Sequence, residues 1–529
     1  MLPGLRSFYR SGAPFAVAGL PPGTARVCAR RADGSAVELE AREEAHFDGL
    51  PSGTYAVEAL DDGGALLAEE LTTVGAHPGE RPVLGFVTSF DGGAVSEVLD
   101  WLTALRCTVV QHYDWMASYT RPLGESAIWA DPLGRPVERA ALESLTAGVR
   151  AMGAVAQAYA PVYAVDPGFA ADRPELLLRR NDGEPERLGD LLDIADPGNA
   201  DWQRHWLAEY GRAADALGFD GFHLDTYGYP RTASAERARD VGMHAAYASF
   251  LAAVRAAHDG RTISFNQVNG VPRALELPAG SGFRYMELWP PNDGWRHFEA
   301  LIARSSAPGD SSQGVVLACY PPVWGSEREA ALRTVLVTEA VSTCLGAAHL
   351  VYGDRMGALT GPYYPRHERL TAGEAALVLR WRRFALRCRD LFTGGEDTSW
   401  YEIGDENAAV VIPDGEARPE PAAGTLFARV VHRDGCVAIS LLDLTGSASG
   451  SWSEPTAAGA ARSVKVQALL PRPAQWVAEA AVLGAGSDRF APVRGDLVPH
   501  REGVALEVEV PLIDGWSVLR FRPRAEEQR

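Results

Sequence analysis

The sequence predicts an α/β protein, a (β/α)8 TIM barrel flanked by an N-terminal immunoglobulin-like β-sandwich and a C-terminal β-sandwich. Three observations carry that expectation. The chain has 529 residues, more than one ordinary hydrophobic core organises. Its middle, residues 82–395, alternates apolar strand-like runs with long Ala/Leu/Arg/Glu helical stretches. Its two ends, residues 1–81 and 396–529, have no helix-period run and read as short alternating strands broken by Gly, Asp and Pro.

In the first segment, "ADG", "LPSGTY" and "DDGG" supply the tight-turn chemistry of hairpins. In the middle, eight strands are expected: "VLGFVTSF" (83–90), "CTVVQHYDW" (107–115), "AVAQAYAPVY" (154–163), "GFHLDTY" (221–227), "TISFNQ" (262–267), "RYMELW" (284–289), "GVVLACY" (314–320) and "AHLVYG" (348–353). Continuous apolar strands separated by helices imply a parallel sheet covered on both faces, and eight such units over some 300 residues match a barrel. A doubly wound sheet is the other candidate, but no strand runs into a G-x-G-x-x-G turn. In the last segment, "TLFARVVHRDGCVAISLLDL" and "GVALEVEVPLIDGWSVLRFRP" alternate around Gly and Asp turns.

The formal net charge of −19, with no extended Lys/Arg cluster, argues against nucleic acid or an anionic membrane as partner. Six cysteines are scattered singly without a C-x-x-C pair, so a disulfide framework or zinc site is not expected. No apolar run approaches a membrane span, and the N-terminal apolar run is interrupted by Pro and Gly, unlike a signal peptide. A cytoplasmic protein is expected, or a secreted one if a leader precedes this sequence.

In a barrel, functional side chains project from the carboxyl ends of the strands. Those ends carry Tyr113, Asp114 and Trp115; Tyr159 and Tyr163; His223, Asp225 and Tyr227; Asn266 and Asn269; Glu287 and Trp289; Tyr320 and Trp324; and Tyr352, Gly353 and Asp354. Carboxylates among amides and flat aromatic rings suit a sugar, whose C–H faces pack on Trp and Tyr while its hydroxyls need acceptors. No cofactor and no metal are implied; a metal-dependent barrel is disfavoured because histidine is missing from the ends of the first, fifth and sixth strands.

Glycoside hydrolysis needs two carboxyl groups across the scissile bond. Asp225 and Glu287 are the best pair, because each ends an otherwise apolar strand where an unused charge is costly. Taken singly, Asp225 reads equally well as a turn or cap residue, Glu287 as the partner of Arg284 or Arg296, and His223 as a satisfied core histidine. Two carboxyls at equivalent ends of two strands of one barrel outweigh those readings. A carbohydrate-binding protein without activity remains the alternative from another class.

The blocks "QHYDWM" (111–116), "GFDGFHLDTYG" (218–228), "ISFNQVNG" (263–270), "YMELW" (285–289) and "YGDRMGALTGPYYP" (352–365) stand in the order seen in glycoside hydrolase family 66, which the chain resembles across the whole barrel. That family contains endo-dextranases and cycloisomaltooligosaccharide glucanotransferases. The resemblance implies an α-1,6-glucan or oligosaccharide substrate, a retaining mechanism, Asp225 as nucleophile and Glu287 as acid/base. On this reading the strand-end residues Tyr113, Asp114, Trp115, Tyr159, His223, Tyr227, Asn266, Trp289, Tyr320 and Asp354 are expected to bind substrate. Two departures stand out: Thr226-Tyr227 replaces the family's Gln-Leu, and no gap between strands has room for the binding module that the cyclising transferases carry. The second departure favours hydrolysis over cyclisation, with transfer to a sugar acceptor as the alternative of the same class.

Overall fold

The computed structural model describes residues 2–41, 43–180, 182–226, 232–235, 240–271, 282–305, 313–321, 324, 327–404, 409–412, 417–433 and 435–524. The middle segment is α/β and is built on a curled sheet. Its strands are β1 (Leu84–Val87), β2 (Val109–His112), β3 (Val155–Pro161), β4 (Gly221–Asp225), β5 (Thr262–Asn266), β6 (Gly282–Glu287), β7 (Val315–Ala318) and β8 (Ala348–Leu350). Each pairs in parallel with the next in the chain. A short continuation, β9 (Tyr352–Gly353), pairs in parallel with β1, Gly353 opposite Phe86, so the sheet bends round until its last segment meets its first.

Helices α1 (Val95–Ala104), α2 (Arg139–Ala151), α3 (Ala200–Leu217), α4 (Met243–Ala257), α5 (Phe298–Ser305), α6 (Arg328–Cys344) and α7 (Ala372–Cys388) lie between and after the strands. The local sequence explains their limits. The Asn199 side chain accepts from the backbone of Asp201 and Trp202 to start α3, and Gly218, at φ 76°, ends it in the left-handed region. Between those caps Trp202, Trp206, Tyr210, Ala213 and Leu217 form one buried stripe against the strands.

Strand alternation decides what faces inward. Phe222 and Leu224 on β4, and Met286 on β6, join the core between sheet and helices, whereas Phe283 and Tyr285 join the cluster enclosed by the curl. His223, Asp225 and Glu287 therefore have inward parity. The enclosure is tight at the strand starts: a Cβ on Gly221 would stand 1.9 Å from the Thr262 carbonyl oxygen, so only glycine fits there.

Before the curled sheet, five strands in the order Phe8–Arg10, Leu66–Gly75, Gly53–Leu60, Arg26–Arg31 and Ala36–Glu40 face the pair Phe15–Ala18 and Glu44–Phe47 across a core of Val17, Val27, Phe47, Val57 and Val74. After it, a seven-stranded and a five-stranded sheet enclose a second aliphatic core that includes Val430, Ile439, Val466, Val508 and Leu519. Both ends are tied to the middle: Arg387 on α7 pairs with Glu69, and the Trp295 amide donates to the Gly450 carbonyl at 3.0 Å. All six cysteines are buried free thiols.

The observed strands are shorter than the apolar runs suggest. The run 107–115 leaves the sheet after His112 because Asp114 takes φ 51° and turns the chain over the carboxyl end of the sheet. The connections after β2 and β3 also carry small strands that the sequence reading does not contain, the hairpin Ile128–Ala130 with Pro136–Glu138 and the three-stranded sheet of Ala164–Val165, Leu192–Ile194 and Arg187–Leu188.

Candidate active site

The strand ends of β4, β5 and β6 bring three side chains together. Asn266, on the central strand, donates from its one amide nitrogen to Asp225 Oδ1 at 2.9 Å and to Glu287 Oε2 at 3.1 Å. Its own Oδ1 accepts from the Glu287 backbone amide at 3.2 Å, which fixes the orientation of the amide. Asp225 takes two further bonds, from the Tyr159 hydroxyl to Oδ2 at 2.8 Å and from the Thr226 amide to Oδ1 at 2.9 Å.

Burial shapes the electrostatics. It raises the Asp225 carboxyl, against the three bonds that favour its ionised form. Burial, then the charge of Asp225, push Glu287 up to about 7, against bonds to Asn266, Trp289 and Tyr320. The like charge of two neighbouring buried carboxyls disfavours ionisation of both together. Burial also carries Asp114 up to about 7, opposed chiefly by Arg135, whose guanidinium lies 3.4 Å away.

These groups line a cavity of about 180 Å³ together with Tyr113, Asp114, Tyr159, His223, Trp289 and Tyr320. Tyr113 stacks on Tyr364 with ring centroids 4.4 Å apart and stands 4.2 Å from Tyr159. His223 lies under Tyr285, its Nδ1 2.9 Å from Ser264 Oγ; burial pushes it down to about 3, so the ring is neutral. The Trp289 backbone amide donates to Asn269 Oδ1 at 2.8 Å.

Two expected residues stand outside the cavity. Trp115 is fully buried, and its indole donates to the Tyr159 carbonyl at 3.0 Å, because the left-handed turn at Asp114 sends the next side chain toward the helices. Asp354 is also fully buried and accepts from Thr88, amide at 3.1 Å and hydroxyl at 2.7 Å, which fastens the end of the curl to the end of β1. Tyr227 lies outside the described residues.

Sequence reasoning missed Tyr285 and Tyr364, whose hydroxyls meet at 2.8 Å with that of Tyr320 beside them. A signal existed for Tyr285, which is two residues before Glu287 and so shares its face. Tyr119, Leu133, Leu188 and Tyr363 also line the cavity, from connections with no periodic pattern to reveal them.

A pair of buried carboxyls on one shared donor, above a floor of tyrosines, is an arrangement that suits glycoside bond cleavage. A sequence profile described as Glycosyl hydrolase family 66 matches residues 51–494, and the chain belongs to that family. A cycloisomaltooligosaccharide glucanotransferase of Niallia circulans is 22% identical over 268 residues, 45% of this chain and 28% of the relative. The chain thus matches under a third of that relative's length. The fold is similar to that of a Paenibacillus sp. cycloisomaltooligosaccharide glucanotransferase solved with cycloisomaltoheptaose, at a TM-score of 0.78 and 14% identity over 97% of this chain and 98% of that one. An α-amylase of Geobacillus thermoleovorans aligns more loosely, at a TM-score of 0.54 and 10% identity over 84% of this chain and 99% of that one.

Proposed function

We propose that the protein is a retaining glycosidase that cleaves α-1,6-glucosidic bonds of dextran or isomalto-oligosaccharides, with Asp225 as nucleophile and Glu287 as acid/base. We read the curled sheet as a (β/α)8 barrel spanning residues 82–395, with residues 1–81 and 396–529 as β-sandwich domains that brace it. The observation that carries the activity is the single Asn266 nitrogen shared by both carboxyls. At 2.9 and 3.1 Å from that nitrogen, the two oxygens are at most about 6 Å apart, nearer the roughly 5–5.5 Å of retaining pairs than the roughly 6.5–9.5 Å that leaves room for a water.

In the first step an Asp225 oxygen bonds to the anomeric carbon as the bond to the leaving oxygen breaks, and Glu287 gives that oxygen its proton. In the second, Glu287 takes a proton from water, whose oxygen displaces Asp225 and restores the original anomeric configuration. Tyr159, Thr226 and Asn266 hold the Asp225 carboxylate in place for attack. Neutral His223 and the tyrosine cluster shape the floor under the sugar.

Incubation with dextran and isomalto-oligosaccharides, with Asp225→Asn and Glu287→Gln as controls, tests this reading. Release of reducing sugar by the wild type alone supports it; no release from any α-glucan refutes it. A second reading is transfer to a sugar acceptor, favoured because the curated relatives are glucanotransferases. It predicts products longer than the substrate at high oligosaccharide concentration.

A further inference from the structure

The connection that follows Glu287 is gripped by the last segment of the chain. β6 ends at Glu287, and the backbone runs on through Leu288 and Trp289 into a turn that the Asn292 amide closes on the Trp289 carbonyl at 2.9 Å. The next two carbonyls are taken by the loop 447–453. The Trp452 indole donates to the Asn292 carbonyl at 3.1 Å. The Trp452 amide donates to the Asp293 carbonyl at 3.0 Å, and the Ser451 hydroxyl to the same oxygen at 2.8 Å. In return the Trp295 amide donates to the Gly450 carbonyl at 3.0 Å.

The gripping loop is itself fixed. Ser447 Oγ accepts from the Gly450 amide at 3.1 Å, and Gly450 turns the chain at φ 67° just ahead of Ser451 and Trp452. Ser451 Oγ accepts from the Ser453 amide at 3.0 Å. Trp452 is buried among the side chains between the curled sheet and its helices, and the Trp295 indole donates to Thr338 Oγ1 on α6 at 2.9 Å.

What the connection carries is Trp289. This residue lines the cavity, its indole bonds to the Glu287 carboxyl, and its ring centroid stands 6.3 Å from that of Tyr320. On the sheet side, Asn269 Oδ1 accepts from the Trp289 amide at 2.8 Å, and the Asn269 amide donates to the Glu287 carbonyl at 2.9 Å. Trp289 is therefore held from two directions, by Asn269 after β5 and by Trp452 across the turn.

We propose that Trp452 is a positioning residue for the reaction: through the connection after β6 it keeps the Trp289 indole on the Glu287 carboxyl, so that the acid/base meets the leaving oxygen in one orientation. The inference rests on the proposed glycosidase reading and adds to it a part in catalysis for the C-terminal domain. Proton transfer depends on such alignment, and small displacements of a catalytic group lower the rate steeply.

The other titratable groups around the Glu287 carboxyl are Asp225 on β4, Tyr320 after β7, Tyr285 on β6 and Tyr364. The loop 447–453 has no ionisable side chain, so a change there alters no charge at the site.

The test uses the full chain with Trp452→Phe, which removes the indole donor and keeps an aromatic ring and the backbone bonds. Values of kcat/KM are compared for isomaltopentaose, whose leaving sugar needs a proton, and α-isomaltosyl fluoride, whose leaving group does not. Expected is a loss of about 3- to 30-fold on the oligosaccharide and under about twofold on the fluoride. The indole bond favours the ionised form of Glu287, so the basic limb of the oligosaccharide profile should move to higher pH while the acid limb stays in place. Equal losses on both substrates, or no loss and unmoved limbs, overturn the inference and leave the glycosidase reading intact. Should Trp452→Phe not fold, Ser451→Ala takes its place with the same expectations. Trp289→Phe removes the indole bond directly and should show the same split; its absence, or losses that multiply when the two variants are combined, also overturns the inference. A wild type that cleaves neither substrate nor any other α-glucan overturns both readings.

Discussion

Replacing Asn266 by alanine removes the one donor that Asp225 and Glu287 share, at 2.9 and 3.1 Å. A hydrogen bond to a charged group is worth about 1.5–3 kcal/mol, and the bond to Asp225 is the one that would orient the proposed nucleophile. At about 1.4 kcal/mol per factor of ten, kcat/KM should fall roughly 10- to 150-fold. The pH dependence gives a second reading of the same change. The Asn266 bond lowers both carboxyls against the effect of burial, so its loss raises both. The acid limb of the profile, where Asp225 must be ionised, and the basic limb, where Glu287 must be protonated, should both move to higher pH. The assay is initial rate on an isomalto-oligosaccharide across pH, with circular dichroism to show that the variant is folded. A folded variant with unmoved limbs and activity within about threefold of wild type would refute the shared-amide account.

Four further outcomes follow from the same geometry. Glu287 is raised from 4.5 to about 7 in the folded chain, so its contribution to stability is full below about 4.5 and is lost as pH rises through about 7; Glu287→Gln should raise Tm at pH 8 and leave it nearly unchanged at pH 4. Arg135→Ala removes the cation that holds Asp114 down, so Asp114 should be more protonated at pH 7 and KM higher, with partial recovery above pH 8; a KM unaltered at every pH would count against a binding role for Asp114. Ser264→Ala leaves buried His223 without its 2.9 Å partner and should destabilise the fold by about 1–3 kcal/mol in urea titration. Gly221→Ala, which forces a methyl group to within 1.9 Å of a carbonyl oxygen, should yield little soluble protein; normal yield and Tm would show that β4 and β5 can separate at no great cost.

Much of this protein is legible in its sequence because strand alternation is strict where one face is enclosed. The parity that sends Phe222 and Leu224 to the helices sends His223 and Asp225 inward, and both carboxyls were expected where they are found. The limits of that reasoning are equally physical. Asp114 leaves the extended region at φ 51°, so alternation no longer says where Trp115 goes, and the indole supports the Tyr159 carbonyl instead of facing the cavity. Asp354 lies in a run of positive φ with Arg355 and Met356 and is spent on Thr88. Leu133 stands in the turn between two three-residue strands and Leu188 on a two-residue strand, both within long connections and too short for any period to announce them. Tyr364 reaches the site from a turn and is placed by long-range contacts, with Tyr113, Tyr285, Tyr320 and Phe86, that no local period encodes.

The central claim, that Asp225 attacks the anomeric carbon, is tested most directly with the Glu287→Gln variant and α-glucosyl fluoride. Fluoride departs without an acid, whereas water attack on the glycosyl-enzyme lacks its base, so the covalent species should accumulate. Mass spectrometry of the digested protein is expected to find one hexosyl unit on the peptide that carries Asp225. A hexosyl unit on any other residue, or fluoride release at the wild-type rate with Asp225 unmodified, would contradict it.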